Sequence, residues 1–515
     1  MNIPGSPPDD DENTAFLLAQ PNDPPVLGQS DRRDDTDSEL CPRTRFRILI
    51  TLIVILLSFE IGGQMIPGPM VRIIETIACD NYWRRHDPAR LPPSGHLPEH
   101  LCKIAAVQTE VATVKGYSDL FEGLLRGKIV SADIVKGAIC AIPYGILADK
   151  YGRRRAIRLT VPGFLLNSLM TNSVLWFSNV LPLRAIWLAS LSWTIGGGPP
   201  VALVVIWTML ADLTTDQQRA SLFFRVGLAS QVASLLASVL SSELMTLNPW
   251  IPLLFGCGTV TMGLACAFSL PETMGRVKAS EPAETARSCS DEPLVFCKAP
   301  WDSESAYLVP RKIARLISPY LFIFNRHLLL LLFSFATAQL AHSSSSFLTQ
   351  YISTRFSWAL ARSNLLTALY IAITIPVFLF LLPFLSRVFD FLPQIKRDLQ
   401  VARFSDFALT LGSFGIGLSP SIILLIPSIC LHAIGAGFVP ATRSVITALV
   451  KQEETARLYS VIEILQMVGG TLGSLCFTKT FSAGLRMGGV GAGLVWILSS
   501  LLYALVGLAL MLVHV

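Results

Sequence analysis

The stretch Gly145-Ile146-Leu147-Ala148-Asp149-Lys150-Tyr151-Gly152-Arg153-Arg154-Arg155 decides how the rest of the chain is read. An apolar run ends in it, Asp149 and Gly152 turn the chain, and three consecutive arginines oppose a return across a membrane. A second apolar run, Ile157 to Phe177, begins at once. Two membrane-spanning helices joined by a tight basic loop account for this order, and the arginines put the loop on the cytoplasmic side.

The bulk composition agrees. Of 515 residues, 15% are charged and 52% hydrophobic, and the mean hydropathy is +0.53. That balance suits a chain whose solvent is lipid. The net charge of +5 is spread as short basic clusters between apolar runs, which excludes a nucleic-acid partner. There is no G-x-S-x-G, H-E-x-x-H or phosphate-binding loop, and the seven histidines are dispersed, so neither an enzyme nor a metal site is expected. Five of the ten cysteines, Cys140, Cys257, Cys266, Cys430 and Cys476, lie in apolar runs and read as small hydrophobes.

Residues 1–45 are acidic and proline-bearing and predict a disordered cytoplasmic tail without a cleavable signal peptide. Arg43, Arg45 and Arg47 then precede the first span. Apolar runs of about 20 residues fall near 47–67, 120–148, 157–177, 184–209, 221–242, 251–270, 328–348, 364–385, 404–418, 421–447, 458–478 and 490–513. The expected fold class is therefore an all-α membrane protein with twelve transmembrane helices, both ends inside. An outer loop at 72–118 holds Cys79 and Cys102, read as a disulfide or as two free thiols. A cytoplasmic linker at 271–325 separates an N-terminal bundle, 46–270, from a C-terminal one, 326–515.

The halves look duplicated. Ile195-Gly196-Gly197-Gly198-Pro199-Pro200 opens a run leading to Arg219, and Ile434-Gly435-Ala436-Gly437-Phe438-Val439-Pro440 opens one leading to Arg457 at nearly the same spacing. Two pseudo-symmetric six-helix bundles about a central cavity form a transporter architecture. One segment fits poorly: Gly127 to Lys136 carries Lys128, Asp133 and Lys136, so the second helix either starts late, near Ile134, or contains an insertion.

Ionisable groups inside spans are functional candidates. Glu60 lies roughly 20 Å along the helix from Arg47, with Gln64 one turn on. It could carry a proton or bind a polar part of a substrate, or be a carboxyl bonded to backbone near the outer mouth. Arg443 and Glu463 lie at similar depth in neighbouring spans; either they pair, or Arg443 meets an anionic or phenolate substrate. Arg225 occupies the duplicated position of Glu463 with opposite sign, which favours bracing between helices.

The spacing G-x-L-x-D-x-x-G-R-R resembles the loop between helices two and three of the major facilitator superfamily. Pro271-Glu272-Thr273-Met274-Gly275-Arg276 resembles the sequence that many members carry after span six. Gln350-Tyr351-Ile352-Ser353 and the stretch from Asp212 to Arg219 are similar to fungal members and, more distantly, to the tetracycline-efflux and proton-coupled folate groups. The resemblance implies that Gly145, Asp149, Gly152, Arg153 and Arg154 form a cytoplasmic gate, with Asp149 facing the start of span eleven and pairing with Arg153. It implies a secondary transporter that moves a small organic molecule by alternating access, with the proton gradient in place of a cofactor. Efflux of a metabolite or toxic compound is expected; the rivals are proton-coupled uptake of a nutrient and a transport-dead sensor. A monomer is expected, multi-pass in the plasma membrane or an endomembrane. Span five lacks the antiporter signature G-x-x-x-G-P-x-x-G-G, and the second-half copy of the opening stretch is degenerate.

Overall fold

The computed structural model describes residues 42–90, 97–136, 153–195, 197–213, 216–270, 324–450 and 454–513. The acidic tail, most of the opening stretch and most of the expected linker lie outside these residues. Among the described residues there are helices and short connections and no strand. Hydrocarbon offers no partner for an N–H or C=O, so an apolar chain crossing it closes its hydrogen bonds within each segment, as a helix does.

Helix α1 (Pro42–Met65) runs almost directly into α2 (Pro67–His86). The ladder bridges the junction, since Ile66 N donates to Gly62 O and Met70 N to Ile66 O, each at 3.1 Å. Pro67 stands at the first position of α2, where a missing N–H leaves nothing unpaired. The resulting rod, Thr44–His86, is 43 residues long, or ~65 Å, about twice the thickness of a hydrocarbon core.

This corrects the expected outer loop at 72–118. That stretch is helix through His86, then two short turns at Pro88–Arg90 and Glu99–Cys102, then the first part of α3 (Ala105–Lys136). Charged Arg72, Glu75, Asp80, Arg84 and Arg85 end the apolar run, yet they sit on helix that continues past it. A disulfide joins Cys79 on α2 to Cys102 in the turn before α3, and both cysteines are fully buried. Helix α3 also passes unbroken through 127–136, so the late start near Ile134 does not occur.

Helix α4 (Arg153–Trp176) follows, and then the expected span 184–209 divides into short turns and α5 (Gly198–Asp212). Gly197 and Gly198 take φ of 76° and 72°, a left-handed backbone that glycine adopts without a Cβ clash. The long α6 (Asp216–Leu247) and α7 (Trp250–Cys266) complete the first half. The second half contains α8 (Arg326–His342), α9 (Leu348–Arg355), α10 (Leu360–Pro376), α11 (Leu382–Val388), α12 (Gln394–Leu418), α13 (Ile422–Ile434), α14 (Phe438–Ala448), α15 (Thr455–Met487) and α16 (Leu494–Leu512). Helices α6 and α15, which the sequence reading pairs, have 32 and 33 residues.

Among the described residues, eight helical runs are long and apolar enough to cross a bilayer. The expected spans 120–148, 157–177, 184–209 and 404–418 are not among them. The first lies partly outside the described residues and the third is broken. The second and fourth are diluted by polar residues such as Asn167, Asn172 and Asp406. Large apolar side chains point outward on the bundle, Leu169, Met262, Phe380 and Ile423 among them, as a lipid-facing surface requires. The chain is a multi-pass membrane protein.

Helix α1 packs on α6 and α7, α8 on α15 and α16, and α12 on α13 and α16. Two seams join first-half helices to second-half ones, α3 with α15 and α6 with α10. On the first seam Gly116 and Gly123, two turns apart on one face, meet Thr478 and Thr471 so closely that a Cβ at either glycine would clash. On the second, Asn364 Nδ2 donates to Ser242 Oγ at 2.9 Å.

The disulfide closes a 23-residue separation on the outer cap. Replacing Cys102 by Ser is expected to remove about 2–4 kcal/mol of stability. Thermal unfolding in detergent checks this: the wild-type midpoint should fall on reduction, and the variant's should be low and insensitive to reductant.

Candidate functional site

Helices α1, α3, α4 and α7 and the turns at 186–193 enclose a cavity of about 330 Å³. Three rings form its apolar side. The Phe59 ring meets that of Phe164 edge-on at 5.1 Å, and Phe164 meets Trp193 edge-on at 4.9 Å. The polar residues of α4 line the rest. Asn167 Nδ2 donates to Ala189 O at 2.9 Å, and Asn172 Nδ2 to Ser168 O at 2.9 Å. Asn172 Oδ1 has no hydrogen-bond partner among the described residues. Asp119 and Glu122 enter from α3, and the described lining contains no Lys, Arg or His. This cavity explains why α4 is too polar to register as an ordinary span.

Beyond the cavity, on the outer side of the expected topology, a charged network joins the two halves. Lys103 Nζ donates to Glu75 Oε1 and Glu99 Oε1 at 2.8 Å each, and to Ser353 Oγ on α9 at 2.6 Å. Arg72 supports the same carboxylates, at 2.8 Å from Glu75 and 3.5 Å from Glu99. Gln108 Nε2 donates to Glu75 Oε1 at 2.5 Å, and Gln350 Nε2 on α9 donates to Gln108 Oε1 at 2.9 Å. The amide of Leu360, at the start of α10, donates to Glu99 Oε1 at 2.8 Å. The disulfide holds Lys103, next in sequence to Cys102, against Glu75 on α2. Glu75 is only 1% exposed, and these donors satisfy its buried oxygens. Burial alone would raise the Glu99 carboxyl, but the charges of Lys103 and Arg72 outweigh it and hold the group below its ordinary range.

The residues singled out in the sequence are spread over other places. Glu60 is half-buried and accepts from Ser234 Oγ on α6 at 3.0 Å. Neither it nor Gln64 lines the cavity, although Phe59 and Gly63 beside them do. Arg443 on α14 donates to Glu463 Oε1 at 2.6 Å and to Gln466 Oε1 at 3.1 Å on α15. That pair is 39% and 64% exposed, which makes it a weak brace. Arg225 is exposed on α6, away from the cavity. Gly145, Asp149 and Gly152 lie outside the described residues, and Arg153 and half-buried Arg154 open α4.

The model of the Major Facilitator Superfamily matches residues 127–474. The chain belongs to that superfamily. It is 40% identical over 507 residues to the MFS-type transporter aprT of Aspergillus flavus, covering 98% of this chain and 94% of the relative. It is 28% identical to the MFS efflux pump atnC of Emericella nidulans, over 94% and 90% of the two chains. Among solved structures, the nucleoside transporter NupG aligns with a TM-score of 0.58 at 12% identity, over 91% of this chain and 98% of that one. The last similarity concerns the fold alone. Membership makes this a transport protein that is not an enzyme.

Against the superfamily fold, two buried groups stand out to which the sequence reading gave no role. Asp406 is 2% exposed, and its Oδ1 has no partner among the described residues. Gly507 on α16 leaves it room, since a Cβ there would stand 2.6 Å from Asp406 Oδ2. His432 on α13 is 3% exposed and lies 5.8 Å from the ring of Trp496 and 6.2 Å from that of Tyr503. Asp406 was legible only through the helix boundary: a span starting at 404 puts it at a helix end, whereas α12 starts at Gln394 and buries it mid-helix.

The outer network yields two expectations. Lys103→Met strips a buried carboxylate of a partner and should cost about 3 kcal/mol. Thermal unfolding in detergent reads this, and a loss below about 1 kcal/mol would rank the network with surface pairs. The pH dependence follows from Glu99. A carboxyl held below its unfolded value stabilises fully above that value, 4.5, and loses the contribution as pH falls through the lower folded value. Wild type and Glu99→Gln should therefore differ by a constant amount at neutral pH and converge below 4.5; convergence already near neutral pH would contradict the assignment.

Proposed function

We propose that the chain exports a small organic molecule by alternating access, driven by the proton gradient, as a monomer in the plasma membrane. The outer network carries the reading. It ties the two halves together through buried Glu75 and partly buried Arg72, Glu99 and Lys103, and its members lie on different halves, so rocking of the halves would break it as one unit. Packed, bistable seams of this kind suit two-state rigid-body motion. The efflux direction draws support from relatives such as atnC that are named efflux pumps.

Two further roles belong to the proposal. Glu60 carries the coupled proton: its contact with Ser234 bridges α1 and α6, and protonation would remove the charge that a half-buried carboxylate must otherwise keep satisfied. Asp149, with Arg153, forms the cytoplasmic counterpart of the outer network. A carboxylate there would complement the positive N-terminal end of α15. Closing one network while the other opens is the elementary cycle of alternating access.

Sealed inside-out vesicles with an acidic lumen, incubated with a small-molecule extract of a filamentous fungus and analysed by mass spectrometry, test this. Accumulation of one or a few compounds that depends on the pH gradient is expected. Accumulation only in right-side-out vesicles would reverse the direction, and absence of any flux would point to a sensor. Glu60→Gln should abolish the dependence on the gradient while exchange continues. Asp149→Asn should slow turnover more than it weakens binding; wild-type rates would reduce Asp149 to a loop residue.

A further inference from the structure

The cavity between α1, α3, α4 and α7 lies wholly inside one half of the molecule. Every described residue that lines it falls between Phe59 and Thr261. Helices α10 and α15, which meet the first half across the two seams, contribute nothing to it. When packed halves move as rigid bodies, distances between them change and distances within each stay fixed. The cavity therefore keeps its shape whichever side of the molecule is open. A site between the halves, by contrast, is remade each time they rock. A ligand that two states hold equally shifts no balance between them, and passage from one to the other does not release it.

The walls decide what fills it. Phe59, Phe164 and Trp193 form a continuous edge-on series, with centroids 5.1 and 4.9 Å apart, and all three line the space. Such a series takes a further ring in the same offset or edge-on manner. The volume of about 330 Å³ is at the lower end of the range of small-molecule sites, ~300–1,000 Å³. We infer that this cavity is a ligand site separate from the path of the exported molecule: it binds a small aromatic compound that stays with the first half and stabilises it. A ligand bound by the folded chain alone raises stability by mass action. That the occupant is not the cargo rests on the reading of two rocking halves; the aromatic site rests on the cavity alone.

Two probes, 2-naphthol and decahydro-2-naphthol, share a skeleton and a hydroxyl and differ in aromaticity. Equilibrium dialysis of the full-length protein in detergent, with protein-free micelles as the blank, measures both without any gradient, so a failure here is distinct from a failure of transport. The aromatic probe is expected to bind about five-fold more tightly than the saturated one and to raise the thermal midpoint. Phe164→Ala should bring the two affinities within about two-fold of each other. Two further variants test the confinement to one half. Lys103→Met weakens the outer network. Gly123→Cys combined with Thr471→Cys ties the halves on oxidation, since a Cβ at position 123 lies 3.2 Å from that of Thr471. The affinity for 2-naphthol should stay within about two-fold of wild type in both. Binding of the two probes within about two-fold by the unaltered protein would overturn the aromatic site, and so would a preference that survives Phe164→Ala. A larger change in the loosened or the tied protein would place the cavity in the moving interface and overturn its separation from the cargo. Comparing the probes on the unaltered protein, and either interface variant by itself, keeps the test decisive if one variant does not fold.

Discussion

Most of this structure follows from one constraint: within the bilayer no water is available to bond an N–H or a C=O. Every crossing segment therefore completes its own ladder, and helix is the only form that does so along a single strand of chain. Where the ladder is interrupted, the interruption is made of residues that leave few groups unpaired. Pro67 opens α2 without an orphan donor, and Gly197-Gly198 with Pro199 and Pro200 divides the fourth crossing. The helices are then free to differ in their side chains, and those differences distribute the functions.

Charge follows the same economy of placement. Arg72, Glu75, Glu99 and Lys103 lie on helix that extends past the apolar run and on the turn tied to it by the disulfide, and there they satisfy one another. Their partners Ser353 and Leu360 belong to the other half. A network across halves couples the outer ends more strongly than exposed pairs would, because at least one of its charges has no access to water. The Arg443–Glu463 pair shows the contrast: it is short, but both partners are exposed, so little depends on it.

Polarity inside the bundle marks another division of labour. The asparagines of α4 face a cavity with aromatic residues opposite, whereas Asp406 and His432 are enclosed by α12, α13 and α16 with rings around them. The first is an open chemistry, with polar and aromatic side chains lining the same space. The second is enclosed within the second half, away from that cavity.

The sequence alone determined that the chain is a membrane protein, that it is all helix, and to which superfamily it belongs, because hydropathy, basic loops and a spaced motif are properties of the chain order itself. It also carried the candidate residues and, for Cys79 with Cys102 and Arg443 with Glu463, a candidate partner, but not the neighbours of the rest. That the supposed outer loop is two helices, that Glu60 turns to Ser234 and away from the cavity, and that Lys103 ties Glu75 to Ser353 were decided by tertiary packing. The reason is physical. Hydropathy reports the solvent of a segment averaged over a turn or more, whereas a charged helix beyond the bilayer and a loop there have the same average. Which face of α1 or α4 meets which neighbour depends on helix rotation, and rotation is set by close contacts such as Gly116 with Thr478, between residues hundreds of positions apart.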